Sequence, residues 1–135
     1  MGGYEGLILL DTHAFVWMMT EPDRLSRHAS SAIRQAKRSG GMALSAISMW
    51  EFAWLAAHGR LQIVGTVETY LEELSSRVAV LPITAKVAAL AVQFPASYPN
   101  DPCDRLIGAT ALAEGMALIT RDANMHNCKL LHTIW

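Results

Sequence analysis

Short runs that are apolar at every position alternate along this chain with longer stretches whose apolar residues recur at helical spacing. The first run, Leu7-Ile8-Leu9-Leu10, stops abruptly at Asp11. A strand with one wet face would alternate apolar and polar residues, so an unbroken run predicts a strand covered on both faces, as in parallel sheets. Residues 13–19 predict a short helix that Pro22 ends, and residues 25–38 a longer one with Ser26 as N-cap and Gly40-Gly41 as the stop. Met42-Ala43-Leu44 predicts a second strand, and Ser45 opens a helix that runs through His58 to Gly59. A helix over 66–77, a strand over 78–81 closed by Pro82, and a helix over 85–94 capped by Thr84 follow. A loop with two prolines, 95–100, leads to Asp101 and Pro102, which open a helix that continues to Glu114 and stops at Gly115. Residues 116–120 predict a buried strand, 123–127 a single helical turn, and 129–134 a last short strand. Strands alternating with helices predict an α/β fold, a mostly parallel sheet of about four or five strands flanked by helices, with residues 1–135 forming one domain.

Composition narrows the class. The chain has 135 residues, 52% of them hydrophobic and 17% charged, which fits a folded protein with a real core and excludes a disordered one. The formal charge of −1 excludes a strongly basic nucleic-acid binder, although a bound metal or a local basic patch can still supply the positive charge a phosphate needs. Arg27, Arg34, Lys37 and Arg38 read as a solvated helix face rather than a phosphate contact, and Glu68, Glu72 and Glu73 as another. The two cysteines, Cys103 and Cys128, lie far apart with no CxxC spacing, so a structural zinc site or disulfide framework is not expected and a reducing cytosol is the simplest setting. The first residues lack the basic region of a signal peptide, and no uncharged apolar run reaches the ~18 residues of a membrane span. The aromatic-rich stretch from Trp50 to Leu55 reads as a core face in preference to an interface.

Four carboxylates share one kind of position. Asp11 ends the first strand, Asp122 follows the fourth, Asp104 lies in the first turn of a helix, and Glu51 lies in a helix that starts beyond the second strand. Right-handed crossovers bring all these places to one edge of a parallel sheet, the edge at which open α/β sheets bind their ligands. Each acid has a plain explanation by itself: Asp11 stops a strand, Asp104 pairs with Arg105, Asp122 caps a helix. Glu51 has a harder one, since Trp50, Phe52 and Trp54 surround it in sequence and a carboxylate in so apolar a helix is costly without a partner. Together the four would repel and raise one another's pKa unless a hard divalent cation lay between them, and an all-oxygen set suits Mg²⁺ or Mn²⁺. A cation so held lowers the pKa of a bound water and offsets charge on a phosphate, so phosphodiester hydrolysis is the reaction class that follows. His13, His28, His58, His126 and His132 show no metal-site spacing, and there is neither a GxSxG elbow nor a phosphate-binding glycine loop. A receiver-like signalling module would want paired acids after the first strand and a lysine after a late one, and this chain has Asp11-Thr12 and no lysine directly after Thr120.

Leu9-Leu10-Asp11-Thr12-His13-Ala14, Ser45-Ala46-Ile47-Ser48-Met49-Trp50-Glu51, Asp101-Pro102-Cys103-Asp104-Arg105-Leu106-Ile107 and Leu118-Ile119-Thr120-Arg121-Asp122 resemble, in order and spacing, the four motifs of PIN-domain proteins, and in particular the VapC toxins of toxin–antitoxin pairs. The resemblance covers nearly the whole chain. It implies a Mg²⁺- or Mn²⁺-dependent endoribonuclease with Asp11, Glu51, Asp104 and Asp122 as catalytic, metal-binding carboxylates, and Thr120 in a supporting place. It also implies an RNA substrate, a VapB-type antitoxin that covers the site, and a homodimer. Two positions depart from the family pattern: Cys103 stands where an aromatic residue is common, and Asn100 where a basic residue is expected. Asp101 reads as the helix cap rather than a ligand. A catalytically inactive PIN-like binding module is the remaining alternative, and the complete carboxylate set argues against it.

Overall fold

The structure, a computed structural model, describes residues 6–135. Five strands, β1 (Ile8–Leu10), β2 (Met42–Ser45), β3 (Ala79–Leu81), β4 (Leu118–Ile119) and β5 (Thr133–Ile134), form one sheet in the order β3-β2-β1-β4-β5. Every pairing is parallel. Seven α-helices connect and cover the strands: α1 (Thr12–Thr20), α2 (Arg27–Arg38), α3 (Ala46–Ala57), α4 (Val67–Arg77), α5 (Ala85–Ala91), α6 (Pro102–Glu114) and α7 (Ala123–His126).

The unbroken apolar runs are explained by two core layers, one on each face of the sheet. Successive strand residues point to opposite faces. Leu9, Ala43 and Leu118 accordingly pack with Val87, Ala91 and Ile107 beneath α5 and α6. Leu10, Leu44 and Ile119 pack with Phe15, Ile33, Phe52 and Leu74 beneath α1, α2, α3 and α4. β1 lies between β2 and β4, hydrogen-bonded on both edges, so Asp11 emerges from the middle of the sheet at the point where the strand order turns back.

Helix starts follow the side-chain chemistry of the sequence. Ser26, Ser45, Thr66 and Thr84 each accept a hydrogen bond from a backbone N–H of the first turn they cap. Gly115 closes α6 in the left-handed conformation at φ 65°, which a side chain would resist. Element ends differ from expectation where local chemistry intervenes. The helix expected over 25–38 begins only at Arg27, after a separate 3₁₀ turn, Pro22–Arg24. The helix expected to reach Phe94 ends at Ala91, because Pro95 disfavours helical geometry at the residue before it. The last strand shrinks to Thr133–Ile134, since Leu131 N–H turns back to the Cys128 carbonyl instead of joining the sheet.

Arg27, Arg34, Lys37 and Arg38 are exposed, as are Glu68, Glu72 and Glu73, consistent with solvated faces. The core reading of Trp50 to Leu55 holds for Phe52, at 1% exposure, and fails for Trp50 at 57% and Trp54 at 40%. α3 is apolar on both faces, so composition alone could not say which face turns inward. Among the described residues no helix is long and apolar enough to cross a membrane.

Candidate active site

The register between β1 and β4 aligns Leu10 with Ile119, so the next residues, Asp11 and Thr120, leave the sheet side by side. Thr120 is fully buried, and its hydroxyl donates to Asp11 Oδ2 at 2.8 Å. The Thr120 hydroxyl oxygen in turn accepts from Asp122 N–H at 3.1 Å, which ties the two strand-end acids to one hydroxyl. The Thr120 carbonyl is held in turn by His126 Nε2 at 2.6 Å, and His126 Nδ1 meets the Thr133 hydroxyl at 2.6 Å. A carbonyl only accepts, so Nε2 donates to it, and Nδ1 is paired with the Thr133 hydroxyl. His126 is therefore a satisfied structural histidine. Asp122 also caps α7, with Oδ1 accepting from Met125 N–H at 3.0 Å.

Glu51 is steered by two hydroxyls. Thr12 Oγ1 donates to Glu51 Oε1, and Ser48 Oγ lies 2.7 Å from Thr12 Oγ1. Thr12 has a single proton, so with that proton on Glu51 the Ser48 hydroxyl donates to Thr12. Both hydroxyls are buried, and the relay holds α3 against the start of α1. Thr12→Val removes the relay at constant shape and strands the Ser48 hydroxyl. We expect a stability loss of about 1–3 kcal/mol and a ~10–100-fold fall in activity, both rescued by Thr12→Ser, as measured by thermal unfolding and cleavage rate.

Asp101 caps α6 through a 2.7 Å bond from Cys103 N–H, with Pro102 at the first helical position, and this places Asp104 in the first turn. Arg105 does not neutralise its neighbour. Its guanidinium donates to the carbonyl of Ala91 at 3.0 Å and lies over the Tyr98 ring. Among the described residues the ion pairs are Arg24–Glu21 and Arg77–Glu73, and neither involves Asp11, Glu51, Asp104 or Asp122. The four acids and Asp101 line a single cleft of about 460 Å³, walled also by His13, Trp17 and Arg121.

Their protonation reflects the crowding. Burial pushes the Asp11 carboxyl up, against the Thr120 hydrogen bond and the His13 ring, and burial pushes Glu51 up against the Thr12 bond. Asp104 is pushed from 3.8 to about 7, first by burial and then by the negative charges of Asp11, Asp101, Asp122 and Glu51. Cys103 is pushed up to about 12 by burial and by Glu51, so at neutral pH its thiol is protonated and adds no charge to the cluster.

Among the described residues no three carboxylate, imidazole or thiolate groups stand close enough to cage an ion. The donor chemistry of the cleft fits a hard divalent cation: Asp11, Glu51, Asp104 and Asp122 offer only carboxylate oxygens, and among the described residues none of the four is ion-paired to a basic side chain. A second hollow, about 310 Å³, lies between α1 and α4 and is lined by Phe15, Met18, Tyr70 and Leu74. Its one carboxylate, Glu73, is already paired with Arg77 at 2.8 Å, so the chemistry belongs to the acidic cleft.

The sheet order, the acidic cleft and the motif spacing define one class, and the chain belongs to the PIN-domain family, whose family model matches residues 8–129. Among its relatives is ribonuclease VapC22 of Mycobacterium tuberculosis, 43% identical over 130 residues that cover 95% of this chain and 98% of that protein. The fold is shared with VapBC2 from Rickettsia felis bound to a promoter DNA fragment, with a TM-score of 0.70 at 16% identity over 94% of this chain and 96% of that one. It is also shared with DNA-bound VapBC from Salmonella typhimurium, with a TM-score of 0.68 at 20% identity over 93% and 95%.

Sequence reasoning placed all four acids and Thr120 at this edge. It missed the donor role of Thr12 and the wall formed by Trp17, His13 and Arg121. A threonine directly after a strand-end acid reads as an ordinary helix start, and nothing local marks it as a partner for Glu51.

Proposed function

We propose that this chain is a divalent-cation-dependent endoribonuclease and the toxin of a toxin–antitoxin pair, with Asp11, Glu51, Asp104 and Asp122 as its metal-binding carboxylates. The observation that carries the reading is a cleft lined by these four acids, from distant parts of the chain, with no basic side chain among the described residues ion-paired to any of them. The 43% identity to a protein named as a ribonuclease over almost the full length of both chains supports RNA as the substrate. The VapBC neighbours support a VapB-type antitoxin as the inhibitory partner. Mg²⁺ or Mn²⁺ suits the oxygen donors, and a cytoplasmic homodimer completes the proposal.

When bound, the cation activates a water and offsets phosphate charge. The protein's part is positioning. Thr120 fixes Asp11 and Asp122 against one another, the Ser48–Thr12 relay fixes Glu51, and the Asp101 cap fixes the turn that carries Asp104. Arg121 and His13 line the same cleft and would face a phosphodiester backbone bound in it. The test is to incubate the purified chain with structured and single-stranded RNA in Mn²⁺, Mg²⁺ or EDTA. Cleavage should require the cation, stop on adding antitoxin, and leave no 2′,3′-cyclic phosphate, because the attacking group is water and not the ribose hydroxyl. Cation-independent cleavage with cyclic phosphate ends would rule the mechanism out.

A further inference from the structure

We propose that the outer face of α3 is a base-stacking subsite for single-stranded RNA, formed by Trp50 and Trp54 with Arg60 beside them. The inference rests on the ribonuclease reading and adds to it where the bases next to the cut lie. Trp50 and Trp54 are four residues apart, so they share one helix face, and both are exposed while Phe52 on the other face is buried. Trp54 is held flat: its ring stacks on His58 with centroids 3.9 Å apart and planes 20° apart, and His58 Nδ1 bonds the Trp54 carbonyl at 2.8 Å. A hollow of about 210 Å³ lies there, lined by His13, Trp50, Glu51, Trp54, Leu55 and Arg60.

Two features favour RNA as the occupant. First, Glu51 and His13 line this hollow and the acidic cleft alike, so a strand whose phosphate lies in the cleft reaches the indoles with its neighbouring base. Second, Arg60 stands at the rim without a carboxylate partner among the described residues, available for the next phosphate. Exposed aromatic faces flanked by a guanidinium bind bases regardless of sequence, because every base presents a π-face. A purely apolar contact between two copies of the chain would require neither feature.

The experiment uses the full chain with Asp104→Asn, which silences cleavage, and two single-stranded RNAs of about a dozen nucleotides, one with all its bases and one abasic throughout its middle. Binding is read by anisotropy, and assembly by sedimentation. Adding Trp50→Ala and Trp54→Ala should weaken binding of the intact RNA about 10-fold, the loss expected of stacking, and leave the abasic RNA unchanged. Equal weakening of both RNAs, or of neither, overturns the subsite. So does a pair of substitutions that splits a dimer without any base-dependent loss, which would assign the face to a second copy. Failure of the ribonuclease reading is separate: the chain with Asp104 and both tryptophans intact would then cleave no RNA in Mn²⁺. Thermal unfolding of the variants checks the fold, which two exposed indoles should alter little.

Discussion

Asp104→Asn should abolish RNA cleavage and at the same time raise the melting temperature of the cation-free protein. The two effects have one origin. Asp104 shares a half-buried cleft with Asp11, Asp101, Asp122 and Glu51, and its carboxyl is pushed from 3.8 to about 7. The folded state therefore holds this proton more tightly than the unfolded chain does. The stability it contributes is full below about 3.8 and is lost as pH rises through about 7. The neutral amide removes that loss. A shift of this size corresponds to ~4 kcal/mol if taken at face value, and solvent screening of a half-buried group brings it to about 1–2 kcal/mol at neutral pH. For activity, losing one anionic donor from the proposed cation site should cost several kcal/mol in the transition state, a rate fall on the order of 10³-fold or more. Mg²⁺ or Mn²⁺ should then stabilise the parent protein against heat more than the variant, since a ligand stabilises the state that binds it. Melting curves with and without cation between pH 5 and 8, beside cleavage rates, check all of this. A variant that cleaves RNA at the parent rate would remove Asp104 from the mechanism.

Gly108→Ala should destabilise the fold by about 3 kcal/mol, lowering the melting temperature by ~10 °C, although the added group is a single methyl. A Cβ at Gly108 would stand 2.1 Å from the Tyr98 hydroxyl and 3.0 Å from its ring carbon. Tyr98 has nowhere to retreat. Its ring stacks on Phe94 with centroids 4.1 Å apart and planes 9° apart, and its hydroxyl donates to the Asp104 carbonyl at 2.7 Å. Displacing it adds the loss of that hydrogen bond, about 1 kcal/mol, to the cost of overpacking. Because the bond ends on Asp104, cleavage should also fall below what the stability loss explains at a temperature where the variant is folded. Tyr98→Phe separates the two contributions: it deletes the hydrogen bond and leaves the stacking. Calorimetry with cleavage assays at low temperature reads the difference.

The fold was legible wherever the pattern had one interpretation. A fully apolar run between helices demands two covered faces, and the two core layers that meet Leu9 and Leu10 supply them. Capping residues marked helix starts because their chemistry is local. Edges were less legible: Leu130 and Leu131 have strand composition, yet a turn at Cys128 leaves β5 only Thr133–Ile134. At the site, the acids stood out because carboxylates beside apolar runs are costly. Of their supports, Thr120 was legible through the family resemblance alone and Thr12 was not legible, because a hydroxyl's partner is set by how the elements pack. That β1 lies between β2 and β4 is what brings Thr120 to Asp11, and residue spacing carries no trace of it. The face of α3 was misread for Trp50 and Trp54 because a helix apolar all round has no side that its sequence points inward.

The bond from Thr120 to Asp11 joins residues 109 positions apart, and β4 reaches β1 only after every other helix and strand between them has been made. During synthesis the first carboxylate therefore emerges long before its fixing hydroxyl, and the cleft is expected to assemble only when β4 docks. Pairings of such long range also slow folding, because the chain between them must be closed into a loop first. A fragment cut anywhere ahead of Thr120 should therefore fail to cleave RNA, which a cleavage assay on truncated chains checks.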